Sequence, residues 1–236
     1  MRFAAQAGES DDPPKQFRQL DGKPLLVHTL ERLLSAGKVE FVAVAVPVSD
    51  LAYAETLLQS LAPAGVELSV VAGGETRQAS VAAGLAALPE GVELVVVHDA
   101  VRPLFDPAWI GATIDLCSDY DGALVAIPAT DTLKEVQAVD TGHKGSSGVV
   151  RRTIPRSAIW RAQTPQTFRA GMLRRAVALA EKQGTAGTDE ASLVEALGGT
   201  VAVVEGSPRN IKVTTPDDWA FVAWQLSRET GTGHDG

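Results

Sequence analysis

Apolar residues follow two alternating patterns along most of the chain. In one, six to eight consecutive residues are almost all apolar, which is typical of strands covered on both faces in a parallel sheet. In the other, apolar residues recur every three or four positions, as at Leu26, Leu30 and Leu33, which predicts helices with one buried face. The strand-like runs cover residues 39–46, 92–97 and 122–127. The alternation predicts an α/β fold with an open, mostly parallel twisted sheet and helices on both faces.

Residues 131–163 interrupt this alternation, because they contain no helical period. Two extended pieces flank a polar stretch rich in glycine and serine at 141–148, which predicts a long hairpin, or β-arm. A lone hairpin is only marginally stable, so we expect the arm to pack on another surface, with a second subunit as one candidate and a mobile loop as the alternative. Residues 1–236 are expected to form one domain, with a disordered polar tail over 230–236.

Composition narrows the function classes. The 236 residues include 21 Lys and Arg against 29 Asp and Glu, a net charge of −8, which argues against nucleic-acid binding. A local cluster of cations could still bind a small phosphorylated ligand. No apolar run reaches the ~20 residues of a membrane helix, and the first ten residues do not resemble a secretory signal. The single cysteine, Cys117, cannot form an internal disulfide, so the cytoplasm is the default location.

Candidate chemistry lies after the strands, because ligands of open parallel sheets bind beyond the carboxyl ends of the strands. Asp99 and Arg102 follow the run at 92–97, and Gly73-Gly74 lies between a short strand at 68–71 and a helix. Lys15 follows two prolines, and Lys212 belongs to a predicted short strand at 209–214. Each feature alone has a simpler interpretation as a turn or a solvated cation.

Seven blocks in fixed order nevertheless closely resemble the 2-C-methyl-D-erythritol 4-phosphate cytidylyltransferases of non-mevalonate isoprenoid synthesis. The resemblance covers about Pro14 to Leu226, and ribitol-5-phosphate cytidylyltransferases share most of the blocks. The blocks are Lys15-Gln16-Phe17; Gly73-Gly74 with Arg77, Ser80-Val81 and Gly84-Leu85; His98-Asp99-Ala100 with Arg102-Pro103; Asp131-Thr132; Thr164-Pro165-Gln166; Thr188-Asp189-Glu190-Ala191; and Asn210-Ile211-Lys212-Val213-Thr214.

The resemblance implies a Rossmann-like nucleotidyltransferase whose β-arm joins a homodimer. It also implies transfer of CMP from CTP to 2-C-methyl-D-erythritol 4-phosphate, with Mg²⁺ and release of pyrophosphate. Lys15, Arg156 and Lys212 would be catalytic: Lys15 at the α-phosphate, the other two orienting the attacking oxygen. Because Arg156 lies on the arm, it would serve the partner subunit's site. The implied nucleotide-binding residues are Ala4, Ala5, Gly74, Glu75, Ser80 and Asp99, with Asp99 also beside the metal; the implied acceptor-binding residues are Arg102, Thr132, Arg156, Thr164 and Lys212.

Arg77 and His98 lie next to the implied site residues in the sequence, and their positions suggest their roles. Arg77, at a helix start, is expected either to pair with a carboxylate such as Glu75 or to contact the ligand. His98 is expected to be a packed histidine at a strand end rather than a base, because a phosphate monoester is already largely ionised.

The first twelve residues depart from the family, which opens with an apolar strand and a glycine-rich loop containing an arginine. Here no arginine lies between Gly8 and Lys15, and Glu9, Asp11 and Asp12 bring negative charge instead. Either the true start lies upstream of Met1, or the loop is degenerate. Loss of the strand is expected to leave the ladder edges of its neighbours open. The function hypotheses are therefore a methylerythritol phosphate enzyme, a sister enzyme for ribitol phosphate, and a catalytically impaired nucleotide-binding relative.

Overall fold

The computed structural model of the chain describes residues 13–59, 61–138 and 148–231. Strands and helices alternate through these ranges. The strands are β1 (Gln19–Leu20), β2 (Lys23–Pro24), β3 (Phe41–Val46), β4 (Glu67–Ala72), β5 (Leu94–Val97), β6 (Gly122–Pro128), β7 (Leu133–Ala138), β8 (Gly148–Ile154), β9 (Trp160–Arg169) and β10 (Val201–Glu205). The helices are α1 (Leu25–Leu34), α2 (Leu51–Leu58), α3 (Arg77–Ala87), α4 (Ala108–Leu116), α5 (Ala170–Gln183), α6 (Glu190–Ala196) and α7 (Pro216–Gly231).

The strands confirm the predicted α/β class. The three apolar runs become β3, β5 and β6. β3 pairs with β4, and β6 with β10, both in parallel. The order of the larger sheet is β10-β6-β9-β5, and β9 runs antiparallel to both of its neighbours. Within the described residues, β3 and β5 each pair on one side only. Residues 1–12 themselves lie outside the described part of the chain.

Three clusters of buried side chains cover the sheets and confirm the helical periods. One lies between the larger sheet and α5 and α6, one between β3 and the helices α1 and α2, and one beneath α7. Fully burying a large aliphatic or aromatic side chain contributes about 1.5–3 kcal/mol, so these clusters supply the main driving force for folding. Their most deeply buried members are Phe168, Leu173 and Val194; Leu58 and Ala54; and Leu25, Val213 and Val222.

The predicted arm is a hairpin of β7 and β8 with an irregular register between Glu135 and Val136. Glu135 accepts a hydrogen bond from Arg152 at 2.5 Å. On the same hairpin, Val136, Val149 and Val150 are each more than half exposed. The tip, residues 139–147, lies outside the described residues. The hairpin therefore carries apolar surface that this chain's described residues leave uncovered.

Three predicted boundaries are wrong. Residues 160–163 belong to β9, because Trp160 pairs with Pro128 of the central sheet, so the arm is shorter than 131–163. No strand forms at 209–214, because side chains and one backbone bond to Val101 hold this segment instead of a ladder. Helix α7 continues through Gly231, two residues into the predicted tail, because backbone bonds extend a helix past its apolar stripe. Among the described residues, no helix is long and apolar enough to cross a membrane.

Two glycines make a matched test of this packing. A Cβ on Gly122 would overlap the Phe168 ring and lie 2.9 Å from the Thr167 carbonyl oxygen, whereas one on Gly111 in α4 would meet nothing within 4 Å. We expect Gly122→Ala to destabilise the fold by about 1–3 kcal/mol, because the ring and strand must shift. Gly111→Ala should stabilise it by about 0.5–1 kcal/mol through helix propensity. Denaturant unfolding measures both, and equal effects would contradict this packing.

Candidate active site

The predicted polar residues that follow the strands converge on Asp99, just after β5. Its Oδ1 accepts a hydrogen bond from Arg77 Nε at 3.2 Å. Its Oδ2 lies 3.1 Å from both Arg102 Nε and Lys212 Nζ. Burial alone would raise the pKa of Asp99, but Lys212, Arg77 and Arg102 hold that pKa well below its usual range. Asp99 is therefore a carboxylate that is ionised at neutral pH and shared by three cations.

Backbone contacts explain why Arg102 and Lys212 meet at Asp99. The Arg102 N–H donates to the Asp99 carbonyl at 3.0 Å, which closes a turn directly after β5. The same side chain donates through Nη1 to the Asn210 carbonyl at 2.7 Å. Val213, the residue after Lys212, donates through its N–H to the carbonyl of Val101, the residue before Arg102, at 3.0 Å. These bonds anchor the segment before α7 and place Lys212 beside Asp99.

Lys15 belongs to the same electrostatic environment. It starts a short 3₁₀ turn whose buried Phe17 packs edge-on against Tyr53, with 5.0 Å between ring centroids. Burial lowers the pKa of Lys15, repulsion from Lys212 lowers it further, and Asp99 opposes the shift. A partly desolvated ammonium interacts more strongly with a nearby anion than a solvated one does.

Thr164 and His98 form a hydrogen-bond chain with the backbone of Asp99. The Asp99 N–H donates to Thr164 Oγ1 at 3.1 Å, and Thr164 Oγ1 lies 2.9 Å from His98 Nδ1. His98 Nε2 lies 3.1 Å from the Arg102 carbonyl, which assigns the ring proton to Nε2 and makes Nδ1 the acceptor for Thr164. Burial lowers the pKa of His98 to about 4, so the ring is neutral at pH 7. His98 is a packed strand-end residue whose ring also contacts Phe105, with 4.2 Å between ring centroids and a tilt of 51°.

The loop from Gly73 to Ser80 leads from β4 into α3. A Cβ on Gly74 would overlap Ala79, so this position requires glycine for close approach, whereas a Cβ on Gly73 would lie 2.9 Å from the rotatable Ser80 Oγ. Thr76 caps α3 by accepting from Ala79 N–H at 3.0 Å, while Ser80 Oγ donates to the Thr76 carbonyl at 3.0 Å. Glu75 points outward and is exposed. The loop thus presents backbone and Glu75 to solvent beside the Asp99 cluster.

Arg156 and Thr132 are not bonded to this cluster in the part of the chain that the structure describes. Arg156 is exposed and donates to the Thr130 carbonyl at the base of the arm, and Thr132 is exposed nearby. The hydrogen bonds and ion pairs of the described residues do not connect either one to Asp99. Ala4 and Ala5 lie outside the described residues.

Sequence reasoning missed the role of Glu190 and the partner of Arg77. Arg77 pairs with Asp99 and, through Nη1, with Glu190 Oε1 at 2.5 Å, rather than with Glu75. Glu190 is 2% exposed at the first position of α6. Acidic residues at helix starts usually face solvent and interact with the helix dipole, so the Thr188–Ala191 block gave no sign of a buried ion pair.

The site fits a phosphorylated ligand better than a protein-bound metal. The cations Lys15, Arg77, Arg102 and Lys212 outnumber the carboxylates Asp99 and Glu190. Both oxygens of Asp99 already bind cations, so a metal ion there would meet three positive charges. No group of three or more metal-ligating side chains occurs among the residues that the structure describes. Asp99 therefore does not fit the predicted role of magnesium ligand.

Comparisons with known proteins show the family of this chain. The family model described as "IspD: 2-C-methyl-D-erythritol 4-phosphate cytidylyltransferase" matches residues 4–228. The chain belongs to this family. Enzymes of that name from Acidobacterium capsulatum and Geotalea uraniireducens are 43% identical over 220 residues and 45% identical over 210 residues. The alignments cover 92% of this chain and 89% of the first relative, and 88% and 86% for the second.

A solved structure supports the same assignment. The 4-diphosphocytidyl-2C-methyl-D-erythritol synthase of Anaerococcus prevotii superposes with a TM-score of 0.79 at 26% identity, covering 90% of this chain and 93% of the other. The predicted family and the mixed α/β fold are therefore confirmed, and this family member is a nucleotidyltransferase.

The buried neutral His98 predicts a pH dependence of stability. The unfolded ring takes up a proton near pH 6.5, whereas the folded ring stays neutral until about pH 4. The unfolded state therefore binds more protons in this window, and the free energy of unfolding falls as pH falls. We expect the stability gap between wild type and His98→Gln to narrow by about 2 kcal/mol between pH 7 and pH 4.5. A gap that urea unfolding shows to be constant would contradict a neutral His98.

Proposed function

We propose that this chain transfers the CMP group of CTP to 2-C-methyl-D-erythritol 4-phosphate and releases pyrophosphate. The observation that carries the proposal is the convergence of Lys15, Arg77, Arg102 and Lys212 on one ionised carboxylate at the strand ends. This excess of positive charge suits two phosphorylated substrates, although the chain as a whole is acidic. The names of the relatives supply the identity of both substrates.

The proposed reaction is an in-line displacement at the α-phosphorus of CTP. A phosphate oxygen of the acceptor forms the new P–O bond, while the bond to the β-phosphate oxygen breaks and pyrophosphate leaves. The attacking oxygen is already ionised, so the protein contributes position and positive charge rather than a base. Lys15 is proposed to stabilise charge at the α-phosphate, where its partial desolvation strengthens the interaction. Lys212 and Arg156 orient the attacking oxygen.

The remaining residues are assigned to two half-sites. Gly74, Glu75 and Ser80 are proposed to hold the nucleotide, together with Ala4 and Ala5. Arg102, Thr132 and Thr164 complete the acceptor site, and Arg102 is already oriented by Asp99. The hydroxyl of Thr164 is engaged by His98 and the Asp99 N–H, so Thr164 supports the acceptor site by holding the turn that carries Asp99.

Magnesium is proposed as the cofactor on the basis of the family's chemistry. Mg²⁺ usually binds through substrate phosphates and one or two carboxylates. Because cations already engage both oxygens of Asp99, the triphosphate oxygens would be the main ligands of Mg²⁺. The metal ion would supply positive charge that neutralises the leaving pyrophosphate. A cytoplasmic location stays a prediction from the sequence.

A homodimer formed through the β-arm is also proposed. The exposed valines of β7 and β8 offer apolar surface to a second copy. Arg156, at the base of the arm, is proposed to reach the partner subunit's site. In its own chain it contacts the Thr130 carbonyl rather than the Asp99 cluster.

Turnover with two acceptors tests the function. We expect pyrophosphate release from CTP to depend on Mg²⁺ and on 2-C-methyl-D-erythritol 4-phosphate, measured by a coupled pyrophosphate assay. Ribitol 5-phosphate, at the same concentration, is the control acceptor. Equal or faster turnover with ribitol 5-phosphate would assign the chain to the sister activity, and CTP binding without turnover would favour the impaired relative.

Mixed dimers test the position of Arg156. Lys15→Ala and Arg156→Ala should each lose most turnover, because each removes a charge that acts on the reacting phosphates. After random subunit exchange, half of the dimers are mixed and each has one intact composite site, so about a quarter of wild-type activity should return. The measurement is turnover of the mixture, with exchange verified by native mass spectrometry. No recovery after verified exchange would place Lys15 and Arg156 in one chain's site.

A further inference from the structure

Arg77 joins three parts of the molecule with one guanidinium group. It is the first residue of α3, directly after the loop that contains Gly74. Its Nε donates to Asp99 at 3.2 Å, and its Nη1 donates to Glu190 at 2.5 Å. The planar fork of arginine can hold two carboxylates in fixed directions, which a lysine ammonium cannot do. Arg77 thus connects the nucleotide loop, the turn after β5 and the start of α6.

The backbone around Glu190 is held by contacts of its two neighbours along the chain. The preceding residue, Asp189, caps α6 and accepts from Gln166 Nε2 at 3.0 Å, and Ala191 N–H donates to Gln166 Oε1 at 3.3 Å. Gln166 is itself buried in β9. Burial raises the pKa of Glu190, and its Oε2 has no hydrogen-bond partner among the described residues, while the Arg77 guanidinium on Oε1 opposes that shift and favours the ionised carboxylate. The start of α6 is therefore a firm anchor for Arg77.

We propose that Arg77 and Glu190 act as a positioning pair, which holds Asp99 so that Lys212 and Arg102 face the acceptor phosphate. A carboxylate is planar, so fixing Oδ1 with Arg77 also fixes the direction of Oδ2, to which Lys212 and Arg102 bind. The pair acts through Asp99 and need not touch either substrate. This inference rests on the proposed function, because it concerns the handling of the acceptor.

Gln78 provides a matched control, because it links α3 to the segment before α6 without touching Asp99. Its Nε2 donates to the Thr185 carbonyl at 3.4 Å, and its Oε1 accepts from Gly187 N–H at 3.1 Å. Loss of Gln78 therefore weakens the connection between α3 and the segment before α6. Its loss leaves the three cations around Asp99 in place.

The experiment compares kcat and both KM values for wild type, Arg77→Met, Arg77→Lys, Glu190→Gln and Gln78→Ala, at a temperature where circular dichroism shows all of them folded. For Arg77→Met we expect a tenfold or greater rise in the acceptor KM and a tenfold or greater fall in kcat, with the CTP KM within threefold of wild type. Glu190→Gln should change in the same direction by a smaller factor. Arg77→Lys should recover part of the loss, and Gln78→Ala should stay within threefold throughout.

Unfolded protein lowers the apparent kcat but leaves KM unchanged, so the acceptor KM separates positioning from stability. Arg77→Met kinetics that match Gln78→Ala, or a CTP KM that rises as much as the acceptor KM, would overturn the positioning role. If Arg77→Met does not fold, Glu190→Gln decides by the same criteria. If the variants give either of these contrary results while the wild type is active, only the positioning role is overturned and the proposed function stands. If the wild type neither binds methylerythritol phosphate by calorimetry nor turns it over, the proposed function and the positioning role are both overturned.

Discussion

The ionised carboxylate of Asp99 is the group on which the arrangement of the site depends. A carboxylate this buried would take up a proton if it were alone, and a set of three cations this close would repel one another. Together they form a stable cluster, because each charge compensates the desolvation of the others. The cations belong to separate segments, at the start of α3, after β5 and before α7, so the cluster also joins these segments.

Neutral hydrogen bonds support the charged cluster from the interior side. Asn210 Nδ2 donates to Gln163 Oε1 at 3.2 Å and to the Thr164 carbonyl at 2.9 Å. Gln163 Nε2 donates in turn to the Ser207 carbonyl at 2.9 Å. The amide donors are paired, while Asn210 Oδ1 is buried with no hydrogen-bond partner among the described residues, so the donor bonds do the holding. The segment before α7 thus takes a defined path without a strand ladder.

The net charge of the whole chain and the charge of the site have opposite signs, and the two facts are compatible. The acidic residues are dispersed, whereas the cations gather where the strands end. Field strength in a cleft depends on nearby, poorly screened charges, so a local cluster can attract phosphates within an acidic protein. Lys15 belongs to the same local field, because burial and then Lys212 lower the pKa of its ammonium group while Asp99 opposes the shift.

The sequence by itself determined the α/β class, the strands β3, β5 and β6, the hairpin and the positions of Asp99, Arg102 and Lys212 after strands or before a helix. These features follow from local periodicity and from the rule for strand ends. Tertiary structure alone decided that Arg77 pairs with Asp99 and Glu190 rather than with nearby Glu75, and that 209–214 forms no strand. Glu190 is 113 residues from Arg77 along the chain, and the two meet only because α3 and α6 both pack against α5 in the folded chain. Periodicity describes which face of an element is buried, but the partner of a buried charge depends on which elements meet.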